Sequence, residues 1–471
     1  MHASVLKRFV TDRWERDIIR ELEEYIRIPA VSPIFDPNWE EHGYIDEAVR
    51  HVEAWCRRQP VEGMAVEVVR QEHRTPLLFV EIDGRKPGTT MLYGHLDKQP
   101  ESTGWEPDLG PWKAVTRDGR LYGRGAADNG YAVYSSLTAI AALQAQGILH
   151  GRCVVLIETC EESGSYDLPS YMEHLEERIG TPRMVVCLDA ECGNYDQLWA
   201  TASIRGNLVG TLRIDVLEEG AHSGSASGIV PSSFRVLREL LDRVEDSATG
   251  ETRLPELMVD VPPARLDQIR SAAGVLGESI AGRYPLATRR MRPVSADPSE
   301  LLLNNSWRTT MSITGIDGIP NLVNAGNVLR PHTAARLSFR LPPTCDALKA
   351  ADAVKTAFET DPPYGARVEF GVDSACSGWN APAIADWLDQ AIRDASIEHF
   401  GKEAMYIGMG GTIPLMGMLT ERFPESRFLV TGVMGPGSNA HGPNEFLHLE
   451  TGKKLTACVA QILARHAAIQ G

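Results

Sequence analysis

The sequence predicts an α/β protein, with a mostly parallel sheet flanked by helices and a smaller α+β unit inserted into it. Three observations carry this reading. Unbroken apolar runs (PLLFVEI at 76–82, TMLYG at 90–94, CVVLIE at 153–158, MVVCLD at 184–189) alternate with stretches of helical spacing. Strands apolar on both faces belong to a parallel sheet covered by helices on both sides. Midway the pattern becomes one-sided. LRIDV at 212–216, TMSIT at 310–314, RLSFR at 336–340 and RVEFGV at 367–372 alternate apolar and polar residues, as half-buried antiparallel strands do. After Trp379 the first style returns. The predicted division is therefore 1–204 and 381–471 as two parts of one larger domain, with 205–380 inserted between them.

Each element has its own signal. Residues 12–27 carry Ile18, Ile19, Leu22, Tyr25 and Ile26 at helical spacing, and 45–57 read the same way. The long apolar segment 130–147 lies between the second and third strands and is too long for a strand. In the insert, helices fit at 233–244 and 346–358, giving the order β-α-β-β-α-β of the ferredoxin-like split motif. A Pro- and Arg-rich excursion, 245–308, interrupts that motif, and its role is not visible in the sequence. Beyond the insert, 383–400 and 450–469 read as helices and 426–433 as a strand.

Composition excludes several classes. The 471 residues carry 47 Lys and Arg against 63 Asp and Glu, a net charge of −16, and the sequence pI is about 5.3. That acidity argues against nucleic acid or an anionic membrane as a partner. No window of 18 consecutive apolar residues marks a membrane span. The opening MHASVLKRFVTDRWERD becomes charged too early for a secretory signal. The 8 cysteines are scattered without a C-x-x-C pair, so a reducing cytoplasm is the expected location.

Five polar clusters interrupt the apolar runs. Tyr93-Gly94-His95-Leu96-Asp97 closes a strand, where ligands collect in open α/β sheets. Leu121 to Gly130 is Gly-rich and opens the long helix. Read alone it is an N-cap Asp with turn glycines, and it lacks the spacing of a phosphate loop. Glu158, Glu161 and Glu162 form an acidic knot after a buried strand, and adjacent carboxylates repel unless a cation or proton separates them. Asp189 and Glu191 follow the next strand, and Ser438 to Glu445 follow the last. Each has a bland reading as a solvated turn. Together they put a His or a carboxylate in four loops at the carboxyl ends of one parallel sheet, plus a late loop. Imidazole and carboxylate suit Zn²⁺, or Mn²⁺ and Co²⁺.

The motifs in order are specific. YGHLDKQP, LYGRGAADN and ETCEESGS resemble the Y-G-H-x-D-V-Q-P, L-Y-G-R-G-x-x-D-D and E-x-x-E-E-x-G-S stretches of the ArgE/DapE/carnosinase family of di-metal exopeptidases. Within it the chain is most similar to the cytosolic dipeptidase and carnosinase branch, over essentially its whole length. The resemblance implies a metal-dependent dipeptidase with two divalent ions per chain, zinc first and manganese or cobalt as alternatives. His95 and Asp189 then hold one ion, Glu162 and His441 the other, and Asp128 bridges both. Asp97 is implied to accept the other N–H of His95, and Glu161 to act as general base. His222, in AHSGSASG, is implied to stabilise the oxyanion with help from Asn327. Arg340, Gly411 and Thr412 are implied to hold a substrate carboxylate. The resemblance further implies a cis peptide between Asp128 and Asn129, and an insert that serves as lid and dimerisation unit of a homodimer in which His222 reaches the partner's site. Three residues depart from the pattern: Asn129 in place of Asp, Met409 in place of Glu, and Lys98 in place of Val. The last two are expected near the substrate pocket. An N-acyl amino-acid amidohydrolase is the rival within enzymes, and a non-catalytic metal-binding module the rival outside them.

Overall fold

The computed structural model describes residues 1–411 and 414–469. Its centre is a six-stranded sheet in the spatial order Met64–Val69, Leu77–Ile82, Gly151–Glu158, Lys86–His95, Pro182–Cys187, Arg427–Val430. The last four are mutually parallel, while Leu77–Ile82 runs antiparallel to both its neighbours. The parallel strands are buried on both faces along their carboxyl halves. The edge strand Met64–Val69 has no counterpart in the sequence reading. Its residues alternate between half-buried and exposed as far as Val69, which is buried, because Met64, Val66 and Val68 face the core beneath helix Tyr44–Arg57.

Helices Tyr44–Arg57, Tyr131–Ala145 and Leu449–Ile469 pack on one face of this sheet, and Leu168–His174 and Pro414–Arg422 on the other. Every residue from Tyr131 to Leu143 is buried, which fits a helix that is apolar all round. The N-terminal helix starts at Ala3, earlier than its apolar spacing indicated, and runs through one wide turn into Ile19–Arg27. Only Leu6 and Val10 of the first segment are buried, so the pattern there is faint.

The second sheet has the order Thr310–Asp317, His332–Leu341, Gly206–Asp215, Arg367–Cys376, and is antiparallel throughout. Helices Ser233–Val244 and Ala347–Glu359 cover one face, which gives the β-α-β-β-α-β motif expected of the insert. Its central strand begins at Gly206, well before LRIDV. Gly206 and Gly210 hide it from a propensity reading, yet a Cβ at Gly210 would lie 2.5 Å from the Phe370 ring. The glycine is there for close packing. A third, three-stranded sheet joins Trp379–Asn380, Trp199–Ile204 and Met405–Met409. The 245–308 excursion folds onto it: helices Pro263–Leu276 and Pro298–Ser306 pack with Trp199 and Trp307.

One buried histidine makes stability depend on pH. His466 is 2% exposed, stacks on Trp387 and holds Thr90 Oγ1 at 3.0 Å through Nδ1. Its Nε2 is buried without a partner among the described residues. Burial, and then the nearby Arg183, push its pKa down to about 4 from an ordinary 6.5. The folded state therefore keeps it neutral, and its contribution is complete above pH 6.5 and lost as pH falls towards 4. Replacing His466 with Gln should shrink the difference in unfolding free energy between pH 7 and pH 4.5 by roughly 2 kcal/mol. Denaturant titrations at the two pH values measure this. An undiminished pH difference in the variant would refute it.

Candidate metal centre and active site

Three parallel strands end side by side, with His95 opposite Glu158 and Tyr93 opposite Cys187. The loops that follow deliver His95, Glu161 with Glu162, and Asp189 to one point. His441 comes from the loop after Arg427–Val430. Asp128 does not arrive from an end of this sheet, which corrects the expectation of four such loops. It follows Arg120–Tyr122, a strand of a separate antiparallel sheet with Val115–Arg117 and Phe446–His448, and sits in the turn that opens helix Tyr131–Ala145. The Asp128–Asn129 peptide is cis.

The side chains form two groups that share one residue. His95 Nε2 lies 3.3 Å from Asp128 Oδ1 and 3.6 Å from Asp189 Oδ2. His441 Nε2 lies 2.9 Å from Asp128 Oδ2 and 3.4 Å from Glu162 Oε2. Within each group the ligand atoms all lie within 4.8 Å of one another. Asp128 thus offers one oxygen to each group, as a bridging carboxylate does. Glu161 belongs to neither, but its Oε2 is 3.9 Å from His95 Nε2. Nitrogen and carboxylate donors in this arrangement fit divalent zinc, manganese or cobalt.

The electrostatics point the same way. Burial and neighbouring carboxylates push Glu161 and Glu162 well above the usual carboxylate range, and burial pushes Asp189 to about 7. Asp128 goes down: burial opposes its charge, but hydrogen bonds with His441 and His95 outweigh burial. His95 is raised, because the bond to Asp128 and the charge of Asp189 overcome its desolvation. Carboxylates this close need protons or cations between them, and the two imidazoles are too few to balance all four.

The supporting contacts depart from expectation in two places. His95 Nδ1 bonds the main-chain carbonyl of Asp97 at 3.0 Å, while the Asp97 carboxylate stands 3.4 Å away. That carboxylate instead accepts the backbone N–H groups of Glu161 and Glu162 at 3.1 and 2.9 Å, and the Ser32 hydroxyl at 2.7 Å. It orients the acidic knot as well as facing the imidazole. Lys98, expected beside the substrate, is buried and donates to the carbonyls of Tyr25 and Ile28 at 2.7 Å each. It caps the end of helix Ile19–Arg27. Asn129 shows why an amide suits a position where the family has Asp. Its Nδ2 donates to Leu188 O at 2.6 Å and Asp189 Oδ1 at 3.3 Å, and its Oδ1 accepts from His95 N at 3.2 Å. A carboxylate cannot donate, and would add a charge to a crowded acidic site.

The remaining expected residues lie apart from this cluster. His222 is exposed on a short ribbon, where Ala221–His222 pairs with Val328–Leu329. Its Nδ1 accepts from Gly224 N at 3.1 Å, and the adjoining Asn327 carbonyl accepts from Ser223 N. Among the described residues no hydrogen bond or ion pair joins either to the metal group. Arg340 projects from strand His332–Leu341 between Thr310 and Asn207. Gly411 follows the strand Met405–Met409, and Thr412 lies outside the described residues.

The sequence reading gave no role to a buried ion pair that holds the His441 loop. Arg124 and Glu445 are 1% and 0% exposed and meet at 2.6 Å. Glu445 also accepts from Gly125 N, and Arg124 donates to the carbonyls of Pro100 and His441. Both residues lie in motifs already singled out, but only the fold brings them together. Replacing Arg124 with Met strands a buried carboxylate, which costs about 3–5 kcal/mol. The variant should melt earlier and release metal to a chelator sooner. Adding Glu445→Gln should restore part of the stability. Equal melting of the single and double variants would argue against the pair.

The family model for Peptidase family M20/M25/M40 matches residues 91–465. The chain is 27% identical over 426 residues to a cysteinylglycine-S-conjugate dipeptidase of Corynebacterium striatum, covering 86% of this chain and 88% of that one. It is 26% identical over 412 residues to the Beta-Ala-His dipeptidase of Homo sapiens, covering 83% and 78%. The solved structure of human carnosine dipeptidase 1 shares the fold, with a TM-score of 0.77 at 22% identity over 99% of each chain. The matched span begins just ahead of His95 and ends beyond His441, so the sequence kinship and the metal-binding geometry rest on the same residues: the chain belongs to peptidase family M20/M25/M40 and is a metallopeptidase.

Proposed function

We propose that this enzyme is a di-metal dipeptidase that cleaves the amide bond of small substrates bearing a free carboxylate. The observation that carries the reading is Asp128 shared between two ligand groups, with Glu161 beside them and committed to neither. His95 and Asp189 would hold one ion and Glu162 and His441 the other, and zinc suits this donor set best. When bound, such a pair of cations lowers the pKa of water towards neutrality and polarises an amide carbonyl. Glu161 takes a proton from the attacking water and passes it to the leaving amine. Asp97 holds the backbone of that base in place. His222, assisted by Asn327, donates to the carbonyl oxygen as it gains charge. Arg340, with Gly411 and Thr412, holds the substrate carboxylate through the fork geometry of its guanidinium.

In this reading residues 205–380 form a lid and dimerisation domain, inserted between the catalytic parts 1–204 and 381–471. The exposure of His222, and its lack of any bond to the metal group of its own chain, support its acting in the site of a second copy. The enzyme works in the cytoplasm, a location that suits eight free cysteines, seven of them buried.

The deciding measurement compares release of Xaa from Ala-Xaa with release from N-acetyl-Xaa by zinc-loaded enzyme, before and after chelation. The dipeptide should be the better substrate, and chelation should abolish turnover. Preference for the acetyl compound favours the amidohydrolase, and no turnover with metal bound favours a binding module. Glu161→Gln should keep its metal and lose ~10²–10⁴-fold in turnover, whereas Glu162→Gln should weaken metal retention itself.

The shared-site reading has its own test. His222→Ala and Glu161→Ala should each be nearly inactive, yet complement when mixed and allowed to exchange subunits. With random pairing half the dimers are mixed and half of their sites intact, so about a quarter of wild-type activity should return. No recovery after confirmed exchange would place His222 outside the partner's site.

A further inference from the structure

Arg205 is an arginine that the reaction described so far does not use. It is 6% exposed, and among the described residues no carboxylate lies within ion-pair distance of it. Buried charges in folded proteins are normally paired. The partners of Arg205 are all neutral, and their bonds are long. Nε donates to Gly410 O at 3.3 Å, and Nη1 donates to Asn304 O at 3.4 Å and Thr310 Oγ1 at 3.2 Å. Among the described residues Nη2 has no hydrogen-bond acceptor. That nitrogen lies 3.2 Å from the position a Cβ would take at Gly410, as do both amide atoms of Asn305, so a side chain there would crowd it.

Arg340 is the cross-strand partner of Thr310 on one side and of Asn207 on the other. Residues directly opposite in an antiparallel sheet share a face. Because Arg205 bonds the Thr310 hydroxyl, its guanidinium lies on the face from which Arg340 projects. Burial, and then the charge of Arg340, lower the Arg205 pKa to about 10, which still leaves it a cation at neutral pH.

The geometry points to Arg205 as a second guanidinium in the seat for the substrate carboxylate, with Nη2 facing the ligand beneath the Gly410–Gly411 loop. It rests on the reading of Arg340 as a carboxylate holder. Two guanidiniums on one face make a seat that selects an anion over a neutral amide of the same shape. Arg205 is therefore a specificity-determining residue: it separates substrates that end in a carboxylate from those that end in a carboxamide.

The test reads binding rather than turnover, so that it can fail separately from the dipeptidase reading. Zinc-loaded wild type, Arg205→Met and Arg205→Lys are titrated calorimetrically with L-leucine and with L-leucinamide, and melted in parallel. Wild type should prefer leucine. Arg205→Met should bind leucine about tenfold or more weakly and leucinamide almost unchanged, as loss of a hydrogen bond to a charged group predicts. Arg205→Lys, which keeps the charge but not the fork, should fall between. A clamp that merely holds the loop would weaken both ligands together, and that result overturns the proposal. So does a wild type with no preference for leucine. If Arg205→Met does not fold, Arg205→Lys decides, and an unchanged preference for leucine in that variant overturns the proposal. Should wild type cleave no dipeptide and yet show this selectivity, the function falls and the seat stands.

Discussion

Crowding of negative charge at one end of a parallel sheet is the constraint from which the rest of this structure follows. Asp128, Asp189, Glu161 and Glu162 converge around two imidazoles, in surroundings where unscreened like charges repel far more strongly than in water. Most local departures from expectation relieve that repulsion. Asp97 points its charge at two backbone N–H groups. Position 129 carries an amide, which adds no charge and both donates and accepts. Glu445 is neutralised by Arg124. What remains is a set of acids that two divalent cations can satisfy.

Bringing those groups together requires backbones to approach closely, and this is what the glycines around them do. A Cβ at Gly94 would stand 2.5 Å from the Ala132 side chain and 2.6 Å from Asn129 Oδ1. One at Gly130 would stand 2.3 Å from the Tyr25 ring. Glycine at 94 lets the first turn of helix Tyr131–Ala145 lie directly on the strand end that carries His95, and glycine at 130 lets Tyr25 of helix Ile19–Arg27 lie on that turn. The helix is buried on every side and anchored against Leu449–Ile469, so the position of Asp128 is set by the core. The glycines of YGHLD and GAADNG thus serve packing, and packing sets the distance between two ligands.

The same division explains how much could be read from the sequence. Strands buried on both faces announced themselves as apolar runs, and their ends located His95, Glu161, Glu162 and Asp189, because strand ends are local. Helix Ser233–Val244 was legible to the residue, since its apolar stripe is complete. Long-range pairings were not. Arg124 and Glu445 lie 321 residues apart, and no spacing rule connects them. Lys98 looked like a substrate contact from its neighbours in the chain, but a helix end some 70 residues upstream claims its ammonium. Strands of weak propensity also escaped. Gly206–Asp215 is broken by glycines that the fold needs, and Met64–Val69 sits at an edge. In each case the deciding interaction joins segments distant in sequence.

The chain crosses twice between the three-stranded sheet and the four-stranded antiparallel sheet, and the crossings lie against each other. A Cβ at Gly206 would meet Cys376 O at 2.5 Å and Gly378 N at 2.8 Å, and one at Gly378 would meet Ile204 O at 2.4 Å. Two backbones in contact over a glycine pair leave little room for either strand to slide past the other. Arg205 occupies the first crossing. Its backbone N–H reaches Met409 O at 3.2 Å, and its side chain reaches Gly410, Asn304 and Thr310. The joint therefore ties together the strand that carries Thr310, the end of helix Pro298–Ser306 and the loop that contains Gly411. Any group held by that loop is thereby fixed relative to the ends of strands Lys86–His95 and Pro182–Cys187, because Trp199–Ile204 runs back from the joint against strand Arg427–Val430, which pairs directly with Pro182–Cys187. The distance between that loop and those strand ends is then set by backbone contact between glycines.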